Sequence, residues 1–196
     1  MDEQHIFDPK HIETLESEER KNWQNREEMV QLLKLKPSYI IVDLGCGSGY
    51  FTVPLSAKVK KVYGIDVQNE MLEFLGQKIQ NLKIDNIEIL LSKEDKIPLT
   101  DRSVDLIITV NAFHEFRTKE TIIEEILRVL RDKGKVVVID FKKEDTGFGP
   151  PVSIRVSKGQ VKQVFQEKGF SFVKSHEFIF HYMVVFQKIG HSQVFC

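Results

Sequence analysis

Cysteine is scarce in this chain of 196 residues, where Cys46 and Cys196 are the pair present. Two thiols cannot build a disulfide framework or a cysteine-rich zinc site, so no metal centre is expected. No apolar run approaches the roughly 18 residues of a membrane span, and no membrane partner is expected. Charge of one sign is also missing. The 28 basic and 29 acidic side chains leave a net charge of −1. Without a global basic field, nucleic acid is not an expected partner. The opening Met1-Asp2-Glu3-Gln4-His5 is acidic and polar and has no secretory pattern, which makes the cytoplasm the expected compartment. Internal repeats and low-complexity tracts are absent. What is present is 41% hydrophobic and 29% charged residues, the composition of a globular protein long enough for one domain with a core.

The most informative stretch is Ile40-Ile41-Val42-Asp43-Leu44-Gly45-Cys46-Gly47-Ser48-Gly49. Apolar residues lead into an acid, three alternating glycines follow, and a helical pattern begins near Tyr50. This reads as a buried strand, a glycine turn and a helix start. Glycine permits positive φ and a close ligand approach. The helix N-terminus beyond supplies unpaired N–H groups. A dinucleotide fingerprint would read G-x-G-x-x-G, with a pyrophosphate on the helix. Here the spacing is G-x-G-x-G, and Asp43 just before it would repel a pyrophosphate but attract an ammonium.

Around this turn the pattern alternates. Residues 1–36 read as a helical extension, with Asn25 and Glu28 placed as in a capping box and Pro37 as its stop. That extension either covers a sheet edge or forms a lid carrying Phe7, His11 and Trp23. Helices are expected at about Tyr50–Lys58 and Asn69–Asn81, the second burying Leu72, Leu75, Ile79 and Leu82. A further helix from Thr118 should close at Lys133-Gly134, and another runs from Ser157, with Gln160 completing a capping box, to Lys168-Gly169. Strands are expected at Tyr39–Leu44, Lys61–Ile65, Ile87–Leu91, Val104–Val110 and Val136–Phe141. Phe170–Ser175 and Phe178–Gln187 then make a hairpin turning at His176-Glu177, followed by a frayed tail. Five alternations argue a parallel α/β sheet.

Asp66, at the end of the second strand, is placed to hydrogen-bond a ribose, or else to favour a helix N-terminus. His114, in the loop after Val110, has the ordinary pKa of a general base; its other reading is a structural histidine at a strand end. Phe148 and Arg155 lie in the glycine- and proline-rich segment 142–156 and are candidates for substrate recognition. His176 and His181 read as surface or packing residues.

The stretch Asp43 to Gly49 resembles motif I of the class I S-adenosylmethionine (SAM) dependent methyltransferases. Asp66, Ile97-Pro98-Leu99, Ser103–Ile107 and Arg128-Val129-Leu130 follow in that family's order. The likeness spans about residues 38–188 and is nearest the branch with the ubiquinone/menaquinone-biosynthesis enzymes. It implies a Rossmann-like seven-stranded sheet, mostly parallel with the last strand antiparallel. The implied division is an N-terminal extension (1–36), a SAM-binding domain (37–190) and a tail (191–196). It implies SAM as methyl donor and S-adenosylhomocysteine as product. The implied cofactor residues are Asp43, Gly45, Cys46, Gly47, Gly49, Asp66, Val67, Met71, Glu94 and Asn111, with His114 next to the acceptor. Lys93 stands where the family has an adenine-binding acid, so Glu94, Asp95 or a backbone carbonyl takes that place. The expected reaction is in-line methyl transfer to an O, N or C nucleophile of a small molecule (EC 2.1.1.-). The alternatives are a protein lysine acceptor, a non-catalytic SAM-binding protein and an NAD-dependent oxidoreductase.

Overall fold

A computed structural model describes residues 7–190. The expected tail, with Cys196, and the opening Met1–His5 lie outside the described residues. Seven strands form one sheet: β1 (Ile40–Leu44), β2 (Lys61–Asp66), β3 (Ile87–Leu91), β4 (Val104–Val110), β5 (Leu130–Phe141), β6 (Phe170–Glu177) and β7 (His181–Lys188). Their order is β3-β2-β1-β4-β5-β7-β6. The first five pair in parallel, and β7 enters antiparallel between β5 and β6.

The strands are rich in Val and Ile because both faces are covered. Alternate residues point to opposite faces. Val42, Ile107 and Val138 join one core with Ile123, Ile126 and Phe165. Those side chains come from α5 (Lys119–Val129) and α6 (Lys158–Glu167). Ile41, Ile108 and Val137 face the other way, against Met29 and Leu55. Met29 belongs to α2 (Arg26–Leu32) and Leu55 to α3 (Thr52–Ser56), while α4 (Asn69–Leu82) packs Leu72 and Leu75 beside Cys46. Before these, a 3₁₀ segment (Pro9–Glu16) and α1 (Glu18–Trp23) cross the carboxyl ends of the strands.

Five local expectations are corrected. The helix after the glycine turn is only Thr52–Ser56, because the Lys60 and Lys61 amides turn to the Tyr39 carbonyl and start β2. Pro37 does not end α2; the helix stops at Leu32, and Lys34 is left-handed with φ 50°. Leu82 is 55% exposed at the end of α4 rather than core. Lys133-Gly134 does not cap α5, which ends at Val129 because buried Leu130 pairs with Val104 on β4. Lys188 Nζ instead donates to the Leu127 and Leu130 carbonyls at that end. The hairpin turns at Phe178–Phe180, two residues later than expected, since His176 and Glu177 still pair with Met183 and Tyr182. One alternation is also missing: β3 joins β4 without a helix. That connection is held by Ile97, whose N–H donates to Glu125 Oε2 while Arg128 Nη2 donates to its carbonyl.

Candidate functional site

The chain order reverses beside β1, with β2 on one side and β4 on the other. A cavity of about 1180 Å³ opens at the carboxyl ends there, the place where open α/β sheets bind ligands. It exceeds the size of a pocket for one drug-sized molecule, roughly 300–1,000 Å³.

The glycine turn forms its floor. Gly45 has φ 75°, and a Cβ there would come 2.6 Å from Ala112 Cβ. The Gly47 N–H donates to Asp66 Oδ2 at 2.9 Å, and Asp66 Oδ1 accepts from the Gln68 N–H at 3.0 Å. Burial nevertheless raises the Asp66 pKa against these bonds. Asp43 is buried and accepts from the Thr52 hydroxyl at 2.6 Å. Burial pushes its pKa up to about 6, with Asp66 adding to the rise and Thr52 and Arg20 opposing it.

Asn111, the residue after β4, is in a left-handed conformation, φ 54°, one that asparagine tolerates better than most residues. Its Nδ2 donates to Gln24 Oε1, which also accepts from Arg20 Nε. Its Oδ1 is buried without a hydrogen-bond partner. Such an acceptor costs about 1–3 kcal/mol until a donor reaches it.

Across the floor lies His114. Its Nδ1 is 2.8 Å from Asp140 Oδ1, and its backbone N–H donates to Asp140 Oδ2 at 3.1 Å. Burial pulls the imidazole pKa down, but the charge and hydrogen bond of Asp140 outweigh it, and the net shift is upward. His114 Nε2 faces Glu115 Oε1 at 3.8 Å. Burial carries Glu115 to about 7.

The cap comes from the N-terminal segment, with Phe7, His11, Leu15 and Trp23 among the lining residues. Ser48 Oγ donates to Glu16, Gln68 Nε2 donates to the Phe7 carbonyl, and the Arg20 guanidinium lies 4.1 Å from the Tyr50 ring centre. Burial lowers the Arg20 pKa to about 10.

Of the expected site residues, Asp43, Gly45, Cys46, Gly47, Asp66, Val67, Met71, Glu94, Asn111, His114 and Phe148 line the cavity. Gly49 does not; a Cβ there would meet Leu75 at 2.3 Å, so it serves the packing of α4. Lys93 and Glu94 reach the cavity and Asp95 does not. Arg155 is a correction. It is buried outside the lining, and its guanidinium donates to the carbonyls of Pro150, Lys142, Glu144 and Phe148, which brace the loop. His181 is fully buried between Trp23 and Phe141, and His176 is exposed. Sequence reasoning missed Asp140, whose signal was an acid ending the apolar run Val136–Ile139. It also missed Glu16, Arg20 and Gln24, which read as ordinary surface residues.

A family model described as "Methyltransferase domain" matches residues 35–181. A solved SAM-dependent methyltransferase from Aquifex aeolicus is 32% identical, with a TM-score of 0.89, covering 94% of this chain and 100% of that one. An uncharacterised methyltransferase-like protein of Schizosaccharomyces pombe is 36% identical over 108 residues, 55% of this chain and 40% of that protein. A demethylmenaquinone methyltransferase of Bacillus mycoides is 25% identical over 158 residues, 78% of this chain and 64% of that protein. The chain therefore spans less than two thirds of the length of these two curated relatives. Among the described residues no helix is long and apolar enough to cross a membrane, and no cluster of side chains suited to a metal ion occurs.

Proposed function

We propose that this chain, which belongs to the class I SAM-dependent methyltransferase family, is an enzyme that transfers a methyl group to a small-molecule acceptor. The observation that carries the cofactor reading is the unpartnered Asn111 Oδ1 beside the glycine turn. An ammonium of the amino-acid part of SAM supplies the missing donor, with Asp43 behind it as countercharge. Gly45 and Gly47 allow the backbone approach, and Asp66 takes the ribose hydroxyls. Val67, Met71 and Glu94 line the adenine side, and Cys46 lines the turn. Bound SAM supplies a methyl carbon already activated by its sulfonium. The chain's own task is alignment and exclusion of water.

The N-terminal segment acts as a lid in this reading, since Phe7, His11 and Trp23 roof the cavity. A roofed cavity favours a small molecule over a lysine on a folded protein. His114, held by Asp140, is the base where the acceptor must lose a proton. Membership in the SAM-dependent family sets aside the NAD-dependent alternative, in agreement with the acid standing before the turn.

Thermal melting with SAM, S-adenosylhomocysteine and NAD tests the cofactor. A ligand at about 100 times its dissociation constant adds about 2.7 kcal/mol, a shift of a few degrees. The expected shift occurs with SAM and S-adenosylhomocysteine and not with NAD. Tight SAM binding with no transfer of labelled methyl to any component of a small-molecule extract would instead leave a non-catalytic SAM-binding protein.

A further inference from the structure

We infer that Arg20, on α1, takes the carboxylate of the donor's amino-acid end, so that a bound donor itself fastens the roof; this inference rests on the cofactor reading above. Arg20 is 6% exposed and lines the cavity. Its guanidinium lies 4.1 Å from the centre of the Tyr50 ring, the residue that follows the glycine turn. Nε donates to Gln24 Oε1 at 2.9 Å, and Nη1 donates to the Leu15 carbonyl at 2.8 Å. Both acceptors are neutral, and among the described residues no carboxylate forms an ion pair with this guanidinium. The acids that act on it through space are Glu16 and Asp43. Each is already engaged, Glu16 by Ser48 and Lys78, and Asp43 by Thr52. A buried cation paired with no anion is unfavourable. A carboxylate relieves it, since its two oxygens match the donors of a planar guanidinium.

Gln24 sets up both ends of the receptor. Its Oε1 accepts from Arg20 Nε and also from Asn111 Nδ2, at 3.3 Å. Both donors bond to a single oxygen, so Arg20 and Asn111 are neighbours. With Nδ2 engaged, Asn111 presents Oδ1, the buried acceptor without a partner. One amide thus fixes a cation and a free acceptor side by side. An α-amino acid carries the complementary pair, a carboxylate and an ammonium on one carbon. Asn111 Oδ1 and Asp43 meet the ammonium, and Arg20 meets the carboxylate. Gln24 is wholly buried and does not line the cavity, so it is a positioning residue.

The charge balance of the cavity makes this placement selective. Six carboxylates line it against three permanent cations, Arg20, Lys93 and Arg117. An anion is repelled in such surroundings unless it sits directly on a cation. Arg117, after β4, lies 3.9 Å from Glu94, and Lys93 precedes Glu94 in the chain after β3. Arg20 is the cation that shares its field with Asp43 at the glycine turn. Arg20 and Gln24 also precede residues 35–181, the stretch matched to the methyltransferase domain. The shared domain supplies the glycine turn, and the N-terminal segment adds a grip of its own. Methyl transfer changes the sulfur and not the carboxylate, so the donor and S-adenosylhomocysteine fasten the roof alike.

Calorimetry tests this grip with two ligands, S-adenosylhomocysteine and its decarboxylated analogue, which keeps the ammonium and lacks the carboxylate. The intact protein should bind S-adenosylhomocysteine at least roughly tenfold tighter, although the acids of the cavity favour the net positive charge of the analogue. Arg20→Gln should weaken S-adenosylhomocysteine roughly tenfold or more and leave the analogue unchanged or tighter. A guanidinium that only braced the roof would weaken both alike. Trp23 is the sole tryptophan and lies 5.9 Å from the Arg20 guanidinium, so its fluorescence reports closure. S-adenosylhomocysteine should shield it from acrylamide more than the analogue does. Equal affinity of the two ligands for the intact protein, or equal weakening of both in Arg20→Gln, overturns the role of Arg20 while the cofactor reading stands. No heat with either ligand overturns the cofactor reading itself.

Discussion

The Ser48 hydroxyl donates to Glu16 Oε1 across 2.6 Å, joining the glycine turn directly to the N-terminal segment that roofs the cavity. The other Glu16 oxygen lies 2.7 Å from Lys78 Nζ on α4. One carboxylate thus ties the roof to the two elements that would hold the methyl donor. Both partners of the Lys78 pair are partly exposed, so solvent discounts the pair to about 1 kcal/mol. Glu16→Gln should therefore leave the fold intact and loosen the roof. Acrylamide should quench Trp23 more steeply in the variant. Unchanged quenching would mean that other contacts, such as that of Gln68 with Phe7, hold the segment alone.

Asp66 fixes the turn and faces the cavity at once. Asp66→Ala should weaken S-adenosylhomocysteine binding by about 1.5–3 kcal/mol, the range for hydrogen bonds to a charged group. Calorimetry measures this, and a melting curve of the free variant separates it from the loss of the Gly47 and Gln68 bonds. Unaltered affinity would take Asp66 out of the ribose site.

Asp140 acts on chemistry only through His114, so its removal should leave a signature in pH dependence. In the intact protein Asp140 holds the imidazole pKa up, and the neutral base exists only above that raised value. Asp140→Asn removes the charge, so the acid limb of kcat should move to lower pH. An asparagine amide facing Nδ1 also favours the wrong tautomer, and the plateau should fall roughly 10²-fold, the scale of a lost general base. Glu115, facing Nε2, and Lys119, which donates to the His114 backbone carbonyl, also act on the imidazole and are unchanged in the variant. A lowered plateau without movement of the limb would confine Asp140 to a structural role.

His181 is buried with both ring nitrogens unpartnered, and burial depresses its pKa to about 3. Between about 3 and the ordinary value near 6.5, the unfolded chain binds a proton here that the folded chain does not. Stability contributed by the neutral ring is therefore present above about 6.5 and lost as pH falls, at about 1.4 kcal/mol per pH unit. Asp43 and Glu115 have raised values and work in the opposite sense. The test is thus a comparison: urea unfolding of His181→Phe and the parent at neutral and mildly acid pH. The variant should lose less stability on acidification, and parallel losses would contradict the assignment.

What the sequence shows of this molecule follows from how local each signal is. β3 and β4 match their expected bounds because each is an apolar run bordered by turn residues. The capping box of Ser157 and Gln160 forms as expected because all its partners lie within four residues. The end of α5 departs from the local signal because Lys133-Gly134 is a good local stop, whereas Leu130 obeys a distant strand. In the site, the glycine turn is legible because its spacing carries its chemistry. Asp140 is not, since its partner comes from another strand's loop. Arg155 carries the charge of a substrate ligand, yet its guanidinium donates to four carbonyls of its own loop. Glu16 and Arg20 sit in a charged segment whose pattern does not reveal which charges turn inward.

The placement of β7 sets an order on assembly. The last described strand lies inside the sheet, pairing Met183, Val184 and Val185 with Ile139, Val138 and Val137 of β5. A nascent chain that has not yet released His181–Lys188 leaves that edge of β5 bare, along with the α5 carbonyls that Lys188 satisfies. The bare edge is apolar and open to pairing with another chain. Parallel strands β1 to β5 can therefore gather during synthesis, but the sheet is sealed only once β7 follows, which makes truncation before His181 a route to aggregation instead of a slightly smaller protein.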